Sequence, residues 1–229
     1  MYKYETHLHT FPVSKCAKAE VLECMEFYKE MGYDGIFITN HFIDGSINIS
    51  SALPYTERIE FCFSDYEKAL NLAEKIGIKV FCGIESSYKG TDFLVYGLDK
   101  DWFLENPQIM DMKKKEQLLY FMENGALVIQ AHPFREASYI DHIRLFPRYI
   151  HGVEVVNTNR KDEENKIAKI YAEHYELIEF AGSDNHTGKQ QKKLAGMCSK
   201  KAVIDEQDFI CKIKNGEMCI FTMLRQCDL

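Results

Sequence analysis

Short apolar and β-branched runs alternate with amphipathic segments of helical period along the whole 229-residue chain. The runs Lys3–Thr6, Gly35–Thr39, Lys79–Ile84, Phe93–Tyr96, Ala126–Gln130, Gly152–Val156, Ile178–Ala181 and Met218–Phe221 predict strands. Helices are predicted over Lys18–Met31, Asp65–Ile76, Lys113–Asn124, Asp162–Tyr175 and Glu206–Asn215, with a short one near Tyr139–Phe146. Gly32, Gly77, Gly125 and Gly216 each close a helical stretch before an apolar run, as left-handed glycine caps do. This β/α punctuation suggests a closed or nearly closed parallel β/α barrel, although periodicity alone does not separate it from an open sheet. Asp99–Met112, with Trp102 and Pro107, reads as the longest irregular connection. No repeat, low-complexity tract or linker divides the chain, so a single domain over 1–229 is expected.

Composition narrows the function classes. Twenty-eight basic against 35 acidic residues give a formal net charge of −7, against an extended grip on nucleic acid or an anionic membrane. A small anionic substrate would need local positive charge, such as bound metal. Of the eight cysteines, Cys24, Cys82, Cys211 and Cys219 fall in apolar stretches that predict buried, reduced thiols, and none of the eight forms a C-x-x-C pair. The first residues read as a strand rather than a signal peptide, and no run approaches the roughly 18 apolar residues of a membrane span. A soluble, cytoplasmic protein is the resulting expectation.

The candidate chemistry lies at strand ends. Five of the eight histidines fall there: His7 and His9, His41, His132, and His186. In parallel β/α folds the strand C-termini converge on one face, where residues distant in sequence can surround one point. His7 and His9, two apart on an extended segment, share a face and can grip one ion. Glu5 lies one step further back on that face, either as a hydrogen-bond partner of a ligand or as a solvated carboxylate. Glu85 ends an apolar run, where a carboxylate needs solvent or a cation, and a bridging role suits it. Asp184 and His186 follow small residues that permit close approach, although an aspartate there also suits a helix cap. In Ala131-His132-Pro133-Phe134-Arg135 an anion could span a metal on His132 and the forked guanidinium of Arg135; a surface pair of Arg135 with Glu136 or Asp141 is the alternative. Glu154 and Asn157 either line the pocket or cap. His142, His151 and His174 read as solvated surface residues.

His7-Leu8-His9-Thr10, Ile38-Thr39-Asn40-His41, Gly83-Ile84-Glu85, Ala131-His132-Pro133 and Ser183-Asp184-Asn185-His186, in this order over nearly the whole chain, resemble the polymerase-and-histidinol-phosphatase (PHP) superfamily. The resemblance implies a distorted seven-stranded β/α barrel, (β/α)7, and two or three divalent ions, zinc, manganese or iron. It implies that His7, His9, Glu85 and Asp184 hold one ion, Glu85 and His132 a second, and His41 and His186 a third. Asp92 stands where the family often supplies a histidine, as a replacement ligand or an ordinary turn aspartate. Asn40 stands where the family commonly has aspartate, and Ser14, Lys15 and Cys16 occupy the stretch expected to supply a third-site ligand, Cys16 as a zinc-tolerant ligand or a loop thiol.

Three function classes follow. The first is hydrolysis of a small phosphomonoester or nucleotide, a short oligonucleotide included, by a metal-bridging water, with Arg135, His41 and His186 orienting phosphate or protonating the leaving oxygen. The second is an amidohydrolase-type C–N hydrolase, and the third a non-catalytic metal- or ligand-binding regulator. No motif specifies the leaving group, the metal or an oligomeric state.

Overall fold

The alternation appears as strands β1 (Tyr2–Glu5), β2 (Gly35–Ile38), β3 (Lys79–Tyr88), β4 (Thr91–Tyr96), β5 (Leu127–Ala131), β6 (Gly152–Asn157), β7 (Ile178–Gly182), β8 (Lys193–Ser199) and β9 (Met218–Leu224), in a computed structural model that describes residues 1–225. Between them run helices α1 (Val21–Glu30), α2 (Tyr55–Ile76), α3 (Lys100–Glu105), α4 (Lys114–Glu123), α5 (Asp162–His174) and α6 (Glu206–Lys214). The strands form one mixed sheet in the order β7-β6-β5-β4-β3-β2-β1-β8-β9. Beyond Glu5 the first strand continues to the far edge: Leu8 bridges Asn185 in parallel, His9 N donates to Asn185 O at 3.0 Å, and Asn185 N donates to His7 O at 3.2 Å. This contact brings the β7 end of the sheet against β1 and makes a nearly closed, distorted α/β barrel.

Among the described residues the barrel has nine strands rather than seven, and it is not all parallel. β1–β2–β3 and β5–β6–β7 pair in parallel, whereas β4 runs against both neighbours and β8 against β1 and β9. The turn between β3 and β4 is only Lys89-Gly90, both at positive φ (49° and 81°), too short for a crossover and suited to a hairpin. β8, Lys-Leu-Ala-Gly-Met-Cys-Ser, lacks β-branched residues and was therefore not foreseen. Its Gly196 lies so close to β1 that a Cβ would stand 2.0 Å from the Tyr4 carbonyl oxygen.

The four predicted glycine caps all have left-handed φ, from 69° to 90°. α2 starts at Tyr55, directly after Pro54, well before the predicted Asp65, and buries Ile59, Cys62 and Phe63. The stretch expected to be irregular is instead α3, capped by Asp99 Oδ1 accepting from Trp102 N at 2.8 Å, followed by a 3-10 turn at Pro107–Asp111. The predicted helix at Tyr139–Phe146 does not form. Its backbone is used by the Gln130 side chain, which donates to Arg144 O (2.7 Å) and accepts from Phe146 N (3.3 Å). Cys24 and Cys82 are buried as expected, but Cys211 on α6 and Cys219 on the edge strand β9 are exposed; Cys227 lies outside the described residues.

An aromatic layer fills the sheet's interior. Tyr4, Phe37, Phe81, Tyr96 and Phe180 pack with Phe209 of α6, with Phe37 4.8 Å from Phe81 and 4.3 Å from Phe209 between ring centroids. Tyr96 Oη donates to the Thr6 carbonyl at 2.6 Å, so this layer also fixes the backbone where β1 leaves the apolar interior. Among the described residues no helix is long and apolar enough to cross a membrane.

Candidate metal centre

The parallel strands bring their C-terminal ends to one rim, and the antiparallel β4 starts there. His7, His9, His41, Glu85, Asp92, His132, Asp184 and His186 are all delivered to it. Glu85 does not follow its strand but sits inside β3, opposite Leu94, with His41 bridged to it in parallel. His132 and Asp184 have left-handed backbones, φ 26° and 52°, at the points where β5 and β7 end. Such conformations are uncommon for residues with a side chain and concentrate at functional sites. The small residues before Asp184 are required: a Cβ on Gly182 would stand 2.5 Å from His7 Cβ and 2.9 Å from Glu154 Oε1.

The imidazole tautomers follow from fixed donors and acceptors. The backbone N–H of Thr10 donates to Asn40 Oδ1 (2.7 Å), which also accepts the Ser14 hydroxyl (2.8 Å). The Ser14 oxygen therefore accepts from His41 N and from His9 Nδ1, each at 3.0 Å. His9 is thus protonated on Nδ1 and presents its Nε2 lone pair. Likewise His7 Nδ1 donates to Glu154 Oε1 at 2.9 Å, and His186 Nδ1 donates to the Asp184 carbonyl at 2.9 Å. Glu154 is held in turn by His132 N (3.1 Å) and Asn157 Nδ2 (2.8 Å). Ligand imidazoles are characteristically oriented by such partners. Asn40 thus organises the loop around His9, and Glu154 and Asn157 support the site instead of merely capping a strand.

The freed lone pairs converge. His7 Nε2 lies 3.1 Å from His9 Nε2, 3.2 Å from Glu85 Oε1 and 3.4 Å from Asp184 Oδ1; His9 Nε2 lies 3.3 Å from Glu85 Oε2 and 3.6 Å from Asp184 Oδ1. Acceptors this close, all buried, need a positive charge among them. Glu85 Oε1 also faces His132 Nε2 at 3.3 Å. The buried Nδ1 of His41 has no hydrogen-bond partner, although Glu85 Oε2 is 2.9 Å away, out of line with the ring N–H. Three sets of side chains bring ligand atoms within 4.8 Å of one another: His7, His9 and Asp184; His7, Glu85 and His132; and His9, Cys16, His41 and His186. These sets suit several divalent ions. Asp92 stands beside the second set, 3.9 Å from His132 Nε2, and nearer to Arg135 Nη1 at 3.5 Å.

The electrostatics agree. Burial disfavours charge on Glu85, but His41, His7 and His9 outweigh it and hold the carboxyl well below its usual range. Asp184 is lowered against burial by His7, His186 and His132. Burial opposes the imidazolium form of His7 and His132, yet the surrounding carboxylates raise both. His9, buried and next to His186 and His41, is lowered to about 3 and stays neutral. Asp92 is raised, first by burial and then by Glu85. Glu5 does not touch an imidazole ring: Oε1 accepts Thr6, His7 and Ser183 N–H groups at 2.9 to 3.0 Å and ties β1 to β7. Burial pushes its carboxyl up to about 7.

Above these groups opens a cleft of about 580 Å³ lined by His41, His132, Asp184 and His186 together with Cys16, Lys89, Arg135 and Arg160. Arg135 pairs with Asp92 and Tyr139, not with Glu136 or Asp141. The buried Nε atoms of Arg135 and Arg160 have no hydrogen-bond partner. Arg160 was not foreseen; its signal was a guanidinium just beyond a strand end, as at Arg135. His142 and His174 are exposed as expected, but His151 is half-buried and accepts the Val128 N–H at 3.1 Å.

No protein-family model and no curated protein matches the sequence. Solved structures do. A two-domain protein from Bacteroides vulgatus containing a predicted PHP-like metal-dependent phosphoesterase aligns over 96% of this chain, with 15% identity and a TM-score of 0.64; the chain spans 64% of that protein. PsfC from Pseudomonas syringae aligns over 97% of this chain and 91% of its own, with 16% identity and a TM-score of 0.61. An amidohydrolase from Chromobacterium violaceum, with bound sulfate and no metal, aligns over 82% of this chain and 89% of its own, with 12% identity and a TM-score of 0.55. At these identities the likeness is one of fold, shared with a protein that contains a predicted PHP-like phosphoesterase and with an amidohydrolase.

Proposed function

We propose that this protein is a metal-dependent phosphoester hydrolase acting on a small phosphomonoester or nucleotide. The observation that carries the reading is the convergence of the His7 and His9 Nε2 atoms with Glu85 and Asp184 oxygens, all buried, at the base of a cleft lined by the Arg135 and Arg160 guanidiniums. In this reading His7, His9, Glu85 and Asp184 hold one ion, and Glu85 and His132 a second with Asp92 adjoining. Divalent ions held there would lower the pKa of water and neutralise phosphoryl oxygens. Arg135 and Arg160 take the remaining phosphate oxygens, for which the forked guanidinium geometry is suited. His41 and His186, on the cleft wall, hold a further ion or deliver a proton to the leaving oxygen.

The Chromobacterium neighbour carries bound sulfate. Its amidohydrolase name raises the C–N alternative, but here the position between His7 and His132 is held by the Glu85 carboxylate, not by a lysine. The test is a release screen over sugar phosphates, nucleotides, histidinol phosphate, short oligonucleotides and cyclic amides, with manganese, zinc or iron added. Metal-dependent phosphate release is expected. Ammonia from an amide, or no phosphate from any ester, rejects the proposal.

A further inference from the structure

β8 and β9 each carry a thiol at the same point of their ladder. The antiparallel register sets Cys198 directly opposite Cys219, between the pairs Met197–Ile220 and Ser199–Met218. Residues opposite one another in such a ladder project to the same face, with Cα atoms about 4.5 or 5.5 Å apart according to the hydrogen-bonding position. A disulfide spans Cα separations of about 4.4 to 6.8 Å, so both spacings lie within its reach. The neighbours fix the face. Leu194, Phe221 and Met223, in step with the two cysteines, pack in the cluster around α1, whereas Ala195, Met197, Met218 and Ile220 turn to the aromatic layer.

The two thiols differ in access. Cys219 is exposed, while Cys198 is 5% exposed and has Lys3 of β1 in register on its other side. Burial raises the Cys198 thiol, and the nearby Cys219 raises it further. An oxidant therefore meets Cys219 first, with Cys198 behind it as the resolving group. No other two described cysteines oppose one another in a ladder: Cys16 is on a loop, Cys24, Cys62 and Cys211 are on helices, and Cys82 is paired with Ile38.

We infer that Cys198 and Cys219 form a reversible cross-strand disulfide, a redox site that fastens the edge strand β9 to β8 where β1 begins, remote from the rim of the metal-binding groups. With a hydroperoxide as oxidant, the Cys219 thiolate attacks oxygen, the O–O bond breaks, and an alcohol or water leaves with a proton; Cys219 becomes a sulfenic acid. The Cys198 sulfur then attacks that sulfur, the S–O bond breaks, and water leaves. Two thiols thus give up two electrons and two protons, and the peroxide is reduced. A thiol reductant reverses the step by exchange through a mixed disulfide at the exposed sulfur. The bond closes the chain over α6, whose Phe209, Ile210 and Ile213 pack in the aromatic layer. The inference does not depend on the phosphoesterase reading.

Trypsin separates the partners for the test: Cys198 falls in the peptide 194–200, Cys219 in 215–225, Cys211 in 202–212 and Cys227 in 226–229. The full chain is treated with hydrogen peroxide, blocked with iodoacetamide without reduction, digested and read by mass spectrometry. Peptides 194–200 and 215–225 are expected joined, lighter than their sum by two hydrogens, and separated again by dithiothreitol. In Cys198→Ser the sulfenic acid at Cys219 should persist and be trapped by dimedone; in Cys219→Ser, a change at an exposed position that keeps the test open should the buried variant fail to fold, the joined pair should be lost. The urea midpoint should rise on oxidation of the parent and not of Cys219→Ser, since the closed loop restricts the unfolded chain. Both peptides alkylated after peroxide, or either one joined to another cysteine peptide instead, overturns the site. A joined pair without a rise in midpoint overturns the fastening of β9.

Discussion

The two rims of the barrel use histidine in opposite ways. At the rim where β1, β5 and β7 end, His7 and His9 direct their Nδ1 protons outward to Glu154 and Ser14 and their Nε2 lone pairs to a common point. At the other rim, just before β6, His151 Nδ1 accepts the Val128 backbone N–H at 3.1 Å and the His151 backbone N–H donates to the Val128 carbonyl at 2.8 Å. There the lone pair is spent on the sheet. Between the rims lies the aromatic layer of Tyr4, Phe37, Phe81, Tyr96 and Phe180. The same side chain is structural where a backbone donor meets its lone pair and is a candidate ligand where every neighbouring atom is another acceptor. What separates the cases is the hydrogen-bond inventory around each ring, and burial alone does not.

The largest effect expected from this contrast is at Asp184. Its φ of 52° is tolerated better by asparagine than by alanine, so Asp184→Asn removes the charge with the least backbone cost. Phosphate release should fall about a thousandfold, roughly 4 kcal/mol of barrier, while the circular dichroism spectrum is retained. Activity within tenfold of the parent would show that the acceptor cluster is not the reaction centre.

A smaller effect belongs to the layer behind the ligands. In Glu154→Gln one of two carboxylate oxygens becomes an N–H, which meets either the His7 Nδ1 proton or the His132 and Asn157 donors. Metal affinity, measured by competition with a chelator, should drop about 10- to 100-fold. Unchanged affinity would mean that this cradle does not orient His7.

These two residues also mark how far the sequence could be read. Asp184 was legible because it ends an apolar run with small residues before it, and strand C-termini share one face whatever the strand count. The same argument placed His7, His9, His41, His132 and His186 on this rim, whereas Glu85 reaches it from inside β3 and not from beyond its end. Glu154 remained ambiguous because a carboxylate inside a strand looks the same whether it faces an imidazole or solvent; only the partner, far along the chain at His7, decides. The Cys16 placement depends on long-range loop pairing with Ser46 and His186, which leaves no local periodicity. β8 was missed because its strand character comes from pairing with β1 and β9 and not from its own composition.

The mildest prediction tests the structural histidine. Burial, with a contribution from Lys214, lowers His151 to about 4. The folded state thus binds its proton less tightly than the unfolded chain, whose imidazole titrates near 6.5. Its stabilising share is complete above about pH 6.5 and is lost as the pH falls towards 4, since protonation removes the acceptor for Val128 N–H. Because the ring is only half-buried, solvent screening reduces the effect to roughly 1 kcal/mol. His151→Gln keeps a carbonyl acceptor but has no proton to gain. Urea midpoints at pH 7 and pH 4.5 should therefore fall further for the parent than for the variant, and the titrations at the metal rim, common to both proteins, cancel in that difference. Equal losses would mean that the ring's contact with Val128 carries no stability, and that this rim, too, has a histidine whose role lies elsewhere.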